Sequence, residues 1–433
     1  MEDKPVRVVE IEIGIGLSPS MKLIIHIYDI DHKFIKLFFN KFGRINYLLP
    51  PIINAKEERK RNWLDLPDHI LSLVSDLLID INDYIRFGVV CWPWRRIYTE
   101  NRSHRTIHHQ LPLLVIPASD EPCPCDLKNQ TRSFYSLSNK KIIPNFQVRL
   151  PHKFCRGSTQ GWLVTVDENL SDVSLFNPFL SHDNEIQLPS IQTLPHEEFD
   201  IYHDAFLSKA VLSANPVLNP NYVVMAIYGG IFSLAFFKPG DKTWTSPDFE
   251  DANMDDVIQF NDQFYVVDCQ GFVFSCDVTQ PHPELVKVAS PPSYQAFSMK
   301  KYLVDSFGDL LQISKEIDSS SDDEPYRTVG FEVFKLEQST LKWTKLQSIG
   351  NCAIFLGDNY SMSLSSKDFP TCKPNCIYFT DDYYEGYYNN PNRGPRDMGV
   401  FNIKNGSIKQ HYPMNSKTIY PPPIWIEPTL ERC

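Results

Sequence analysis

The chain has none of the features by which a sequence most readily declares a function. No stretch approaches the ~18 consecutive apolar residues of a membrane-crossing helix, and the charged start Met1-Glu2-Asp3-Lys4 opens no apolar run ending in a small-residue cleavage site. With no secretory signal, the ten cysteines read as reduced thiols and not as a disulfide framework, so the expected compartment is the cytoplasm, the nucleus or both. A net positive charge is also missing: 42 Lys and Arg stand against 53 Asp and Glu, a balance of −11. That balance argues against nucleic acid as the principal partner, because phosphate neutralisation needs a basic face.

Catalytic signatures are equally scarce. Cys123-Pro124-Cys125 is spaced too tightly for a zinc pair, Cys372 and Cys376 have no second pair nearby, and His108-His109 belongs to no helical metal motif. No phosphate-binding loop and no nucleophile elbow occurs, and Gly14-Ile15-Gly16 lacks the third glycine and the βαβ setting of a dinucleotide site. Asp381-Asp382 beside Tyr383-Tyr384 has the composition of a sugar-cleaving carboxylate pair, but its place beside Gly386 and Pro391 reads as a solvated loop. The expectation is a non-catalytic chain with no cofactor or metal of its own.

What the chain does have is apolar and aromatic mass. Hydrophobic residues make up 42% and aromatics 13%, with 28 Phe, 20 Tyr and 33 Pro. That is enough to bury a large core, and the mixture favours many short strands joined by turns. Three regions differ in pattern. Residues 1–61 form a leader in which Met21 to Ile53 carries five Lys and Arg against two Asp; Phe34, Leu37, Phe38 and Phe42 sit near helical spacing, although the stretch as a whole reads as poorly ordered. It ends in the charged hinge Lys56 to Arg61.

Residues 62–103 switch to helical periodicity. Pro67 suits a first helical position, Asp68 complements the helix dipole, and Ile70, Leu71, Val74, Leu77 and Leu78 share one face. Asn82 or Asp83 caps a second helix bearing Ile85, Val89 and Val90, and Pro93 either stops it or starts a third with Trp94, Ile97 and Tyr98. So short a module cannot bury much surface alone. Its apolar positions exceed what one small three-helix packing needs, which leaves a face for a partner.

From about residue 104 to 430 the pattern is strand, turn, strand. Phe264 to Val267 with Phe272 to Phe274, Tyr302 to Val304 with Leu310 to Ile313, Ala353 to Leu356 with Tyr360 to Leu364, and Trp162 to Val166 with Val173 to Phe176 repeat one hairpin theme. A second kind pairs Leu234 to Phe237 with Trp244, Phe331 to Phe334 with Trp343, and Gly399 to Phe401 with Ile408. The glycines Gly229, Gly271, Gly308 and Gly357 are 42, 37 and 49 residues apart, the ~40–50-residue scale of a propeller blade. A β-sandwich array would give similar spacing, but radial closure hides the sheet edges that so many hairpins expose. The fold expected is mainly β, a short three-helix module followed by a propeller of about five to seven blades, with Ile424-Trp425-Ile426 as the strand that completes the first blade. Asp318 to Glu324, acidic and serine-rich, interrupts it as an exposed loop.

Residues 63–98 resemble the F-box: Leu66-Pro67 opens it, Ile70-Leu71 and Leu77-Leu78 form its first apolar helix, and Val89-Val90-Cys91 followed by Trp94-Arg95 closes it. The rest resembles plant F-box proteins of the kelch-like kind whose C-terminal half is a β-propeller of unknown function, through Gly161-Trp162-Leu163, Leu175-Phe176-Asn177-Pro178-Phe179, Ile186-Gln187-Leu188-Pro189 and Trp425-Ile426-Glu427-Pro428. The resemblance implies that Leu66, Pro67, Leu71, Leu77, Val90, Cys91 and Trp94 lie on or support a surface that docks a Skp-type adaptor. Through that adaptor a cullin and a RING subunit would be recruited, and the propeller would hold a target protein for ubiquitin transfer. A scaffold without a ligase role and a propeller enzyme acting on a carbohydrate or small metabolite are the alternatives.

Overall fold

In the computed structural model the described residues are 66–77, 87–88, 90–102, 111–117, 131–138, 140–150, 153–167, 171–180, 184–195, 207–249, 253–292, 299–318, 326–369, 371–383, 397–412 and 423–428, with three strands ahead of them. The chain divides into two units, Met1–Asp65 and Leu66–Cys433. In the first, β1 (Val9–Ile13) pairs antiparallel with β2 (Ile24–Ile27) and with β3 (Ile45–Asn46). The amphipathic helix expected through Phe34 to Phe42, the charged hinge and the Gly14-Ile15-Gly16 fragment lie outside the described residues.

The second unit opens with helix α1 (Asp68–Leu77) and helix α2 (Trp92–Arg102). Pro67 stands one residue before α1 and caps it: its carbonyl accepts from the Ile70 and Leu71 amides at 2.9 and 3.1 Å. Pro93 falls in the first turn of α2, where an amide would have no helical partner, so the ring costs no hydrogen bond. The cap expected at Asn82 or Asp83 and the residues Ile85 and Val89 lie outside the described residues; Phe87 and Gly88 are helical.

Six sheets follow, each a blade of a β-propeller. The first joins β4 (Leu113–Pro117), β5 (Thr131–Ser136) and β6 (Lys141–Arg149) to the last strand of the chain, β27 (Ile424–Ile426). The second is β7 (Lys153–Thr159), β8 (Trp162–Asp167), β9 (Val173–Phe176) and β10 (Glu185–Leu188). The third is β11 (Leu207–Leu212), β12 (Val224–Tyr228) and β13 (Ser233–Phe237), with Thr245 bridging Phe236 where a fourth strand would lie. The fourth is β14 (Met254–Phe260), β15 (Gln263–Asp268), β16 (Val273–Cys276) and β17 (Leu285–Ala289). The fifth is β18 (Met299–Ser306), β19 (Asp309–Asp318), β20 (Arg327–Glu337) and β21 (Lys342–Leu346). The sixth holds β22 (Cys352–Leu356), β23 (Ser361–Ser365), β24 (Cys376–Phe379), β25 (Gly399–Asn402) and β26 (Ile408–Lys409).

The expected closure is present. Ile424, Trp425 and Ile426 pair with Val115, Leu114 and Leu113, so the chain's last strand completes its first blade. Trp425 is fully buried and donates from Nε1 to the Leu356 carbonyl at 2.9 Å, while Asn359 donates to the Trp425 carbonyl at 2.7 Å, tying the sixth blade to the first. Between neighbouring blades the outward faces interdigitate; Ile313 and Val333 of the fifth meet Ile354, Ile377 and Phe379 of the sixth. Gly157 marks the close approach of the second blade to the third, because a Cβ there would collide with the Ala210 carbonyl.

The four hairpins expected from sequence form, as does Phe401 with Ile408, but Trp343 pairs with Leu336 and not with the expected Phe331 to Phe334, and Phe236 bridges Thr245 and not Trp244. Their equivalence does not hold throughout. Gly229 and Gly271 turn between second and third strands, whereas Gly308 turns between first and second. Gly357 lies between β22 and β23, and β23 is the inner edge of a sheet whose order is β23-β22-β24-β25-β26. There the chain enters as β22, folds inward as β23, then crosses over to lay β24 parallel to β22. A glycine marks any tight turn, so an even spacing of glycines tracks blade length without tracking blade position.

Candidate functional site: the helical pair and the charged end of the ring

In the helical pair, α1 and α2 are clamped by polar contacts. Arg96 pairs with Asp68 at the start of α1, and Asn101 donates to Ser72 and Ser75, each at 2.8 Å. Leu71, Phe87, Trp94 and Ile97 are buried, with the Phe87 and Trp94 rings 4.7 Å apart. Gly88 is required at its position, since a Cβ there would sit 2.6 Å from the Tyr98 ring. Of the residues that the F-box resemblance singled out, Leu71 and Trp94 are interior, Leu66 and Cys91 half-buried, and Pro67 and Val90 exposed. Leu77 ends α1, and its side chain lies outside the described residues.

Two apolar side chains that the sequence reading passed over are open to solvent: Leu73 at 51% and Trp92 at 71%. Leu73 lies off the stripe formed by Leu71 and its neighbours, so its hydrophobicity has no role in the core of the pair. That position, an apolar residue on the polar side of a helix, was the available signal. Arg96 lies 5.5 Å from the Trp92 ring centre, which steadies the exposed indole.

A second concentration of chemistry lies at one end of the propeller. Adjacent strands of a blade run antiparallel, so the starts of inner strands and the ends of second strands share one face of the ring. Lys209 near the start of β11, Asp255 and Asp256 of β14, and Lys300 and Lys301 of β18 meet there with Lys315 of β19, Asp358, Asp381, Asp382 and Asp397. Lys209 pairs with Asp256, and Lys300 with Asp358. Lys315, fully buried, donates to Asp382 at 2.7 Å and lies 3.3 Å from Asp397. Tyr302 donates to Asp382, and Tyr326 to Asp381 at 2.6 Å.

The solvated loop expected at Asp381-Asp382 is therefore overturned: both carboxylates are interior, 2% and 4% exposed. They follow directly on β24, a strand buried along its length, which carries them inward to the lysines. The electrostatics follow from that placement. Burial works to raise the Asp382 carboxyl, but Lys315 and Lys300 outweigh it and hold it below the usual range. Asp255 goes the other way, pushed up to about 6 by burial against the pull of Lys301 and Lys300. Lys301 loses proton affinity through its own burial, only partly offset by Asp255. Each of these carboxylates has a lysine, hydroxyl or backbone amide partner, an arrangement that braces strands. Among the described residues no cluster of His, Cys, Asp or Glu is placed to hold a metal ion.

Comparison with known proteins agrees with this architecture. The KIB1-4 beta-propeller family matches residues 134–402. F-box protein SKIP23 of Arabidopsis thaliana is 27% identical over 407 residues, covering 84% of this chain and 95% of that protein. The F-box/kelch-repeat protein At1g57790 of the same plant is 26% identical over 385 residues, covering 87% and 97%. With a six-bladed ring closed by its last strand and the family's pattern across most of that ring, this chain is a member of the KIB1-4 beta-propeller family, similar along nearly its whole length to plant F-box proteins.

Proposed function

We propose that the chain is the substrate-receptor subunit of an SCF-type cullin-RING ubiquitin ligase, its helical pair docking a Skp-type adaptor and its propeller holding a target protein. The observation that carries this reading is the exposure of Leu73, Val90 and Trp92 on a small helical pair whose Leu71, Phe87 and Trp94 are already buried. Large apolar side chains left outside a filled core favour a partner helix or groove. Pro67 and the half-buried Leu66 and Cys91 stand at the helix starts beside them. The adaptor would tether the cullin and RING subunits. The receptor would then act by proximity, raising the effective concentration of target near the ubiquitin-loaded enzyme, with no bond chemistry of its own. The cytoplasm or nucleus is the compartment this role requires.

Co-purification with a Skp-type adaptor tests the reading. Wild-type protein is expected to retain the adaptor, and Leu66→Asp with Pro67→Ala to lose it while the propeller's thermal unfolding is unchanged. Trp92→Ala is expected to weaken retention at least tenfold. Wild-type protein that retains no Skp-type adaptor refutes the proposal.

A further inference from the structure

The outer rim of the propeller carries a groove lined in part by lysines. It lies between β17, the outer strand of the fourth blade, and β21, the outer strand of the fifth, encloses about 590 Å³, and is lined by Lys287, Pro291, Pro292, Leu341, Lys342 and Trp343 among others. Its indole wall is fixed, because Trp343 donates from Nε1 to the Ser290 carbonyl at 2.8 Å. Leu341, held at φ 53°, leaves its side chain half exposed at one edge. Lys287 is positioned over the Phe272 ring at 3.9 Å. Neither Lys287 nor Lys342 has a carboxylate partner among the described residues, whereas Lys335 and Lys345 on the same blade pair with Asp309 and Glu332.

We infer that this groove binds an extended acidic peptide segment of a protein partner. Two ammonium groups with no carboxylate within ion-pair distance among the described residues, Lys342 facing Glu337 across the β20–β21 pair, stand beside the Trp343 and Leu341 side chains. An extended chain alternates its side chains from one face to the other, so it can lay apolar residues against Trp343 and Leu341 while carboxylates reach Lys287 and Lys342. β21 is the last strand of its sheet, and its outward backbone groups are available to pair with such a chain. A compact anion would use the lysines and leave the Trp343 and Leu341 surface unused, which favours the peptide. The inference rests on the receptor reading, since it names the class of segment that a target would present.

The test uses full-length protein and a fluorescein-labelled ten-residue peptide of glutamates with two interspersed leucines, read by anisotropy. A peptide with lysines in place of the glutamates serves as control, and inorganic phosphate as competitor. The acidic peptide is expected to bind, the basic one not to. Lys287→Glu with Lys342→Glu is expected to weaken binding at least tenfold, and Leu341→Asn, at a half-exposed left-handed position that asparagine tolerates, several-fold, while each variant keeps the wild-type melting profile and adaptor retention. Binding unchanged in the double variant, or abolished by millimolar phosphate, overturns the groove's assignment. Loss of adaptor retention by the wild type would instead overturn the receptor reading and leave the peptide result standing.

Discussion

Replacing Asp382 by asparagine removes the charge that answers Lys315 at the interior end of the fifth and sixth blades. Lys315 is fully buried with Asp382 at 2.7 Å and Asp397 at 3.3 Å. Leaving a buried charge without its partner costs about 3–5 kcal/mol; because Asp397 stays, the lower end, about 3 kcal/mol, is expected. That is a large share of the ~5–15 kcal/mol by which domains are stable, and urea unfolding followed by tryptophan fluorescence resolves it. Lys315→Met alone strands Asp382 with Tyr302 and, at 3.9 Å, Lys300, and the double replacement is expected to cost at least about 1 kcal/mol less than the sum of the two. The carboxyl is held below its usual range in the folded protein. Its contribution is therefore complete above the unfolded value of ~3.9 and is lost as pH falls through the lower folded value, so wild type and Asp382→Asn should converge in acid. A variant within about 0.5 kcal/mol of wild type at pH 7, or a gap that does not narrow in acid, would refute the account.

Asp255 has the opposite sign. Its carboxyl titrates at about 6 in the folded chain, so the stability it contributes is full below pH ~4 and declines as pH rises through the folded value. The urea midpoint of wild type relative to Asp255→Asn should therefore fall between pH 4.5 and 7. Trp425→Ala, which empties a fully buried site at the ring closure, should cost about 3–5 kcal/mol in thermal or urea unfolding. Gly88→Ala forces a methyl to within 2.6 Å of the Tyr98 ring and should destabilise the helical pair by about 1–3 kcal/mol, seen as weaker adaptor retention with an unaltered propeller transition.

The strand pairs and the closing strand could be read in the sequence because they are set by local pattern. Val, Ile and Phe runs flank turn residues, and Trp425 between two isoleucines has the β-branched and aromatic composition that favours a strand. The start of α1 was legible to within one residue, Pro67 standing just before the helix and not at its first position, and Pro93, which the sequence allows as a stop or a start, lies in the first turn of α2. Leu73 and Trp92 were not singled out, because apolar residues off the stripe carry no periodic signal, and only the packed pair shows which apolar faces remain open.

Local pattern was enough to show a mainly β chain whose hairpins recur at blade length and whose last strand returns to its first blade. The tertiary structure alone decided three things: the inverted order of the sixth sheet, the burial of Asp381 and Asp382 against Lys315, and the meeting of Lys287 with Trp343 across two blades. Periodicity and turn preference act over a few residues and are written along the chain. Charge pairing, crossover order and groove formation join residues 23 to 67 positions apart, and a side chain's partner at that separation is fixed by ring geometry that no local pattern encodes.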